Sequence, residues 1–161
     1  MRSLCACQNI PVSSYREQAL IEAPVAEVWD LVGDPNRHPE WWPNVLEVDG
    51  LPAIEQDAKY RQVTQVAGGA KFESTFQIEK LDELHEIRLV CTDWGTKVRW
   101  LLTEAQDATF AEIEIKFASD IGALGLIRAP LARRYLRTWV QASLEGLRAA
   151  AAAERNPAVQ T

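Results

Sequence analysis

Polar side chains interrupt the apolar faces of two predicted strands in the middle of the chain. Alternate residues of a strand point to the same face, so these polar groups share a face with aromatic rings. Burying a hydroxyl or an amide without a partner costs free energy, and such groups are therefore suited to hydrogen-bonding a carbonyl or hydroxyl of a bound molecule. The residues are Tyr60, Gln62, Thr64 and Ser74, with Ser74 between Phe72 and Phe76.

Aromatic residues could supply the rest of a binding pocket. The chain has 6 tryptophans in 161 residues, and a wide apolar wall with few polar groups is typical of small-molecule sites. Inward aromatic rings also form ordinary closed cores, so both interpretations stay open. Trp41 and Trp42 are adjacent, and we expect one to pack inside while the other caps a cavity mouth. The predicted ligand-binding residues are Trp41, Trp42, Tyr60, Gln62, Phe72, Ser74, Phe76, Trp100, Leu131, Tyr135 and Trp139.

Common catalytic and metal-binding motifs are missing from the sequence. It contains no GxGxxG, P-loop, HExxH or GxSxG pattern. Its 2 histidines lie far apart, and none of its 3 cysteines stands at zinc-ligand spacing from a histidine. We therefore predict no metal and no cofactor. His38 and His85 are interpreted as surface turn residues, with His38 as a proton donor or acceptor at a cavity entrance as the alternative.

Composition excludes several classes of partner. Hydrophobic residues make up 47% of the chain and charged residues 25%, and the net charge is -6. Non-specific nucleic-acid binding requires cationic neutralisation of phosphates, so this acidic balance argues against it. No apolar run approaches the roughly 18 residues of a membrane span. Residues 1–11 lack the apolar core of a secretory signal, so we expect a cytoplasmic protein without a transmembrane segment.

Hydrophobic periodicity predicts an α+β architecture. Strand-like alternation and helical spacing follow the order strand, two short helices, six strands, long helix. We expect a single domain over residues 14–153, with flexible termini at 1–13 and 154–161. The predicted strands cover residues 15–22, 45–49, 59–66, 71–79, 86–91, 96–103 and 109–117, and the helices cover 24–32, 35–42 and 122–153.

The first helix and the turn after it carry the most specific motif. Pro24 stands at the helix start, Val28 and Leu31 follow at helical spacing, and Asp34-Pro35 and Trp41-Trp42-Pro43 come next. This layout resembles the START/Bet v 1-like superfamily, in its bacterial polyketide cyclase/dehydratase and lipid-transport branch. The resemblance implies a helix-grip fold, in which a curved seven-stranded antiparallel sheet wraps around a long C-terminal helix, with two short helices after the first strand.

The resemblance also implies three functions. The first is binding, carriage or sensing of a small lipophilic molecule (a lipid, polyketide or isoprenoid-like compound) in a cavity between sheet and helix. The second is a polyketide aromatase/cyclase-type enzyme, for which Tyr135 and Arg61 are the catalytic candidates. Arg61 and Arg99 have outward parity, so either would serve only if a bulge reversed it.

The third implied function is an interaction protein, such as a cochaperone or a coenzyme Q chaperone. Its one hint is the basic stretch from Arg128 to Arg137, which would contact lipid headgroups or an acidic partner, or would be a solvated helix face. The sequence leaves the ligand and the oligomeric state open.

Overall fold

The fold is built on one antiparallel sheet and one long helix. The computed structural model describes residues 13–65, 69–117 and 122–156, and over 122–132 only the helical backbone. The strands are β1 (Ser13–Ile21), β2 (Val45–Val48), β3 (Lys59–Gln65), β4 (Lys71–Asp82), β5 (Glu86–Cys91), β6 (Lys97–Ala105) and β7 (Ala108–Phe117). The helices are α1 (Val25–Val32), α2 (His38–Trp41) and α3 (Gly122–Arg155), with a 3-10 turn at Pro35–Arg37.

The seven strands form a curled sheet in the order β1-β7-β6-β5-β4-β3-β2, and every neighbouring pair is antiparallel. The concave face collects the apolar positions of the alternating pattern, and the opposite face is charged. This is the helix-grip fold expected from the sequence. The buried strand residues include Ile21, Ile78, Ile87, Leu89, Val98, Trp100, Leu102, Ile113 and Ile115.

The long helix α3 closes the concave side. It packs against β1 and β7 and against α1 and α2. Leu136, Val140, Leu144 and Leu147 are buried at helical spacing, whereas Tyr135 is 41% exposed. The buried stripe over residues 133–156 is therefore narrower than the two-row stripe that the sequence predicted.

Two element boundaries differ from the prediction for local reasons. Pro24 is the residue before α1 and has an extended backbone (φ -57°, ψ 151°), so the helix begins at Val25. Strand β4 continues to Asp82, and a register shift between Ile78 and Lys80 changes which of its side chains face inward. A bulge of this kind lets Leu81 pair with the inward Ile87 although the alternation is interrupted.

Candidate binding site

The tryptophan pair after α1 is buried as a unit. Trp41 and Trp42 are both inside, and their rings stack with centroids 5.7 Å apart and planes 6° apart. The expectation that one of them caps a cavity mouth was wrong. Trp41 is the last residue of α2, while Trp42 has an extended backbone (φ -83°, ψ 114°), and this change of conformation aims both rings the same way.

Hydrogen bonds attach the two indole rings to different helices. The Nε1 of Trp41 donates to the carbonyl oxygen of Leu31 on α1 at 3.0 Å. The Nε1 of Trp42 donates to the hydroxyl of Ser143 on α3 at 2.8 Å, and that hydroxyl donates to the carbonyl oxygen of Trp139. The pair therefore ties α1, α2 and α3 together.

Two further tryptophans complete this cluster. Trp100 on β6 meets the pair edge-on, with centroids 5.5 Å from Trp41 and 5.9 Å from Trp42. Trp139 on α3 lies 5.4 Å from Trp42. Such edge-to-face contacts stabilise aromatic cores beyond the area that they bury. The cluster is a packed floor for the concave face, and only Trp139 in it is half-buried.

His38 lies in the same cluster, and its predicted surface position was wrong. The ring is fully buried, and its centroid lies 4.9 Å from that of Trp42 in a T-shaped arrangement. Its Nε2 lies 3.2 Å from the carbonyl oxygen of Val32, an acceptor, so Nε2 carries the proton and Nδ1 has a free lone pair. Burial lowers the pKa of His38 to about 4, against the weaker opposite effect of the Val32 hydrogen bond, so the ring is neutral at pH 7.

The sequence did contain a signal for the burial of His38. Trp41 and Trp42 stand three and four residues after it, the spacing at which side chains share one face of a helical turn. His85 is different, because it lies exposed in a turn beside Asp82, as the sequence predicted.

A second group of predicted site residues lies on β3 and β4. Tyr60 pairs with Phe76 across the two strands, and Gln62 pairs with Ser74. The Tyr60 and Phe76 rings stack with centroids 5.9 Å apart. Tyr60, Gln62 and Ser74 are buried and Phe76 is half-buried, so the structure brings these four predicted residues together on the concave face.

Polar atoms in this group lack partners within the described protein. The hydroxyl of Tyr60 and the Oε1 of Gln62 are buried without a hydrogen bond, whereas the Nε2 of Gln62 donates to Thr64 Oγ1 at 3.1 Å. Burial strongly raises the pKa of Tyr60, with a smaller contribution from Cys91, so its hydroxyl is a neutral donor. Leaving such a group unpaired costs about 1–3 kcal/mol. The pair offers one donor and one acceptor to a bound molecule.

Two more buried atoms on the inner side are unpaired, namely the Nδ1 of His38 and the Nε1 of Trp100. Native proteins pair nearly all of their buried polar atoms, so four unpaired buried polar atoms on the inner side of one sheet need an explanation. Tyr60 and Gln62 belong to the aromatic wall on β3 and β4, whereas His38 and Trp100 belong to the packed tryptophan cluster.

Other predicted site residues lie at the edge of this face. Phe72 is 47% exposed near the start of β4, and Tyr135 is exposed on α3. Leu131 lies outside the residues whose side chains the structure describes. The part of Phe72 and Tyr135 in binding remains a prediction.

The arginine candidates lie on the outer face. Arg61 pairs with Glu47 at 3.0 Å and with Glu73 at 2.8 Å. Arg99 pairs with the buried carboxylate of Glu86 at 2.7 Å. No bulge reverses the parity of β3 or β6 at these positions. The structure therefore does not bring Arg61 and Tyr135 together as a catalytic pair.

The described residues offer neither a metal site nor a membrane-spanning helix. Over the described ranges, we find no group of three or more His, Cys, Asp or Glu side chains arranged to hold a metal ion. Within the same ranges, no helix combines the length and the apolar character needed to cross a membrane.

A surface groove of about 650 Å³ lies between Leu20 of β1 and Arg148 and Arg155 of α3, away from the concave face.

Comparison with known proteins identifies the class. The family model for polyketide cyclase/dehydrase and lipid transport matches residues 13–152. The chain therefore belongs to this family, the branch that the sequence motif indicated. Comparison with curated protein sequences gives no match.

Solved structures show the same fold at low sequence identity. The Thermus thermophilus protein TTHA0849 is 20% identical, with a TM-score of 0.74 over 88% of this chain and 99% of that one. The Zhui aromatase/cyclase from Streptomyces is 15% identical, with a TM-score of 0.72 over 94% and 100%. A START superfamily protein from Mycobacterium smegmatis is 13% identical, with a TM-score of 0.73 over 88% and 98%. At these sequence identities the similarity shows a shared fold and nothing finer.

Proposed function

We propose that the protein binds a small lipophilic molecule between the concave face of the sheet and α3, in order to carry, sequester or sense it. The observation that carries the proposal is the buried, unpaired polar pair formed by Tyr60 and Gln62 on an aromatic wall. A pocket with an apolar wall and a few converging polar groups is typical of ligand sites.

The polar pair defines what the ligand must offer. The neutral Tyr60 hydroxyl donates, so the ligand needs an acceptor such as a carbonyl oxygen. The Oε1 of Gln62 accepts, so the ligand needs a donor such as a hydroxyl. An apolar skeleton with a carbonyl and a hydroxyl in reach of adjacent inward positions of β3 meets both conditions. Lipids, isoprenoid quinols and polyketides include such molecules.

Thermal stabilisation by a matched panel tests this proposal. The panel contains four compounds with the same apolar skeleton, namely the hydrocarbon, the ketone, the alcohol and the hydroxyketone. A ligand of the native state raises stability by RT ln(1 + [L]/Kd), so the hydroxyketone should raise the melting temperature most. Tyr60→Phe should weaken its binding by about 5- to 30-fold, the equivalent of one lost hydrogen bond.

Tyr15→Phe is the control for that substitution. Tyr15 is half-buried, and its hydroxyl already donates to Glu17 at 2.9 Å. Binding should be unchanged in this variant. Equal losses in both variants, or no stabilisation by any panel member, would contradict the proposal.

The alternative is an enzyme of the aromatase/cyclase type, the class of the structurally similar Zhui protein. The neutral, unpaired Nδ1 of His38 is the specific observation in its favour, because a free imidazole lone pair is a potential base. Incubation with a poly-β-ketone distinguishes the two functions. A carrier returns the compound unchanged, and a cyclase gives a cyclised product whose formation is lost in His38→Gln.

A further inference from the structure

The turn between β5 and β6 holds an unusually exposed tryptophan. Trp94 is 66% exposed, more than any other large hydrophobic side chain among the described residues. The tryptophan ring is amphipathic, and tryptophan is enriched at interfaces where one end of the ring is in an apolar environment and the other is solvated. Trp94 is therefore a candidate contact residue.

The turn that holds Trp94 is well ordered by hydrogen bonds. The amide of Gly95 donates to the carbonyl oxygen of Cys91 at 2.8 Å, and the amide of Cys91 donates to that of Thr96 at 2.8 Å. Gly95 has a φ of 68°, a conformation that favours glycine. The amide of Thr75 on β4 donates to the Asp93 carboxylate at 2.6 Å. Trp94 is thus presented outward from a rigid turn.

Other exposed aromatic residues lie at the same end of the sheet. The bond between Thr75 and Asp93 places this turn beside the first half of β4, where Phe72 is exposed. The start of β1 lies at this end because Ser13 pairs with Phe117 and Lys97 pairs with Lys116. Tyr135 is exposed on α3 and stands six residues before Gln141, which contacts Glu17 of β1, so it lies toward the same end. We call Phe72, Trp94 and Tyr135 the aromatic rim.

Cationic side chains surround the aromatic rim although the whole chain carries a net charge of -6. The amide of Gln141 on α3 donates to the Glu17 carboxylate on β1 at 3.4 Å, and Arg148 donates to the carbonyl oxygen of Leu20, so α3 and β1 run in the same direction. Arg137 and Arg133 stand one and two helical turns before Gln141, toward the start of β1. In the same part of the molecule, Lys97 pairs with Glu79 and Lys116 with Glu114. Of the exposed cations at this end, Lys71, Arg133, Arg134 and Arg137 form no ion pair with another described residue.

We propose that the aromatic rim and its cations dock onto an anionic phospholipid surface. Tryptophan prefers the headgroup region of a bilayer, where its ring is apolar and its N–H remains solvated. Each Lys or Arg close to an anionic leaflet adds about fivefold to the affinity. A protruding aromatic turn with flanking cations fits a lipid surface better than it fits a flat acidic protein, which would leave the Trp94 ring uncovered.

The proposal predicts weak and reversible binding. Asp93 precedes Trp94 and opposes the attraction, and only a few aromatic rings are available to enter the interface. Docking would bring the β5–β6 turn and the start of α3 to the membrane. It goes beyond the proposed ligand binding and needs no ligand, so the two can fail separately.

Vesicle sedimentation tests the docking proposal on the full chain without added ligand. We expect binding to vesicles of phosphatidylcholine with phosphatidylglycerol, and at least about fivefold weaker binding to phosphatidylcholine alone. Trp94→Ala should weaken binding to the anionic vesicles by a similar factor. Arg137→Glu should do the same, and added salt should weaken the wild type.

Two control substitutions lie at the opposite end of the sheet. Phe110→Ala removes an exposed aromatic ring near the start of β7, and Lys59→Glu reverses an exposed charge at the start of β3. Both should bind like the wild type. The proposal would be overturned if the wild-type protein did not bind anionic vesicles. It would also be overturned if the rim and control variants lost vesicle affinity equally. Binding of soluble polyglutamate through Arg137 without vesicle binding would overturn it in favour of an acidic protein partner.

Discussion

The backbone of Gly146 on α3 lies against the carbonyl oxygen of Trp41, so closely that a Cβ at position 146 would come within 2.2 Å of that oxygen. A glycine in a helix interior normally lowers stability, so its presence here reflects the close approach of α2 and α3. This contact fixes how deeply the long helix sits over the tryptophan pair.

Gly146→Ala should destabilise the protein despite the better helix propensity of alanine. Propensity alone favours alanine by about 1 kcal/mol. Overpacking against a backbone atom that cannot move freely costs about 1–3 kcal/mol. Urea unfolding should therefore show a net loss in the free energy of unfolding. An increase in that free energy would show that α3 is not held against Trp41.

Ser143→Ala should destabilise the protein by leaving the buried Nε1 of Trp42 unpaired. The expected cost is about 1–3 kcal/mol in the free energy of unfolding. In a Trp42→Phe background the same substitution should cost less, because no indole N–H remains to be paired. A double-mutant cycle measures this coupling, and additive losses would contradict the hydrogen bond.

His38 should make stability depend on pH between about 4 and 6.5. The unfolded chain binds a proton near the ordinary pKa of histidine, while burial lowers the native pKa of His38 to about 4. The unfolded state therefore binds more protons in this range, and the free energy of unfolding falls as the pH falls, by about 3 kcal/mol in total. Above pH 6.5 this contribution does not change with pH.

His38→Gln should remove that part of the pH dependence. The measurement is urea unfolding at several pH values from 4 to 7, comparing the slopes of the two proteins. The His85→Gln variant is the control, since His85 is exposed. An unchanged slope in His38→Gln would show that the ring is not buried and neutral.

Glu86 should control stability at lower pH. Its carboxylate is buried on the outer face, and burial alone would raise its pKa. Contacts with Lys80, Arg99 and Arg88 outweigh that effect and lower the pKa to about 2. The stability that these contacts give is complete above about pH 4.5 and is lost as the pH falls toward 2, because the native state resists protonation.

Glu86→Gln should therefore cost about 1–3 kcal/mol at pH 7 and much less at pH 2. Glu112→Gln is the matched control, because Glu112 is more exposed and its ion pairs with Arg16 and Arg99 are longer, at 3.9 and 3.6 Å. Thermal unfolding at both pH values measures the difference. A constant cost at both pH values would mean that charge pairing is not the cause.

The sheet and the long helix were predictable from the sequence because their signals are local. Alternation in β4 and β7 and the helical rows in α3 follow directly from which face is buried. The outward parity of Arg61 and Arg99 was predictable for the same reason. The bulge after Ile78 was not, because a shift of parity there depends on the partner strand β5.

The interior of the site depended on tertiary packing. The stacking of Trp41 on Trp42 results from a change in backbone conformation at one residue, which no periodicity reveals. The burial of His38 was indicated by the spacing of the two tryptophans after it, but the enclosure of its ring depends on how those tryptophans pack in the folded chain. The unpaired atoms of Tyr60 and Gln62 become visible only when all potential partners are placed.

Native mass spectrometry tests the central claim of ligand binding most directly. The protein is measured as purified and again after incubation with the hydroxyketone of the panel, and bound molecules are then extracted into organic solvent. The account predicts a mass above that of the chain, and an extracted apolar molecule that carries a hydrogen-bond donor and acceptor. The mass of the bare chain in both measurements would contradict the account.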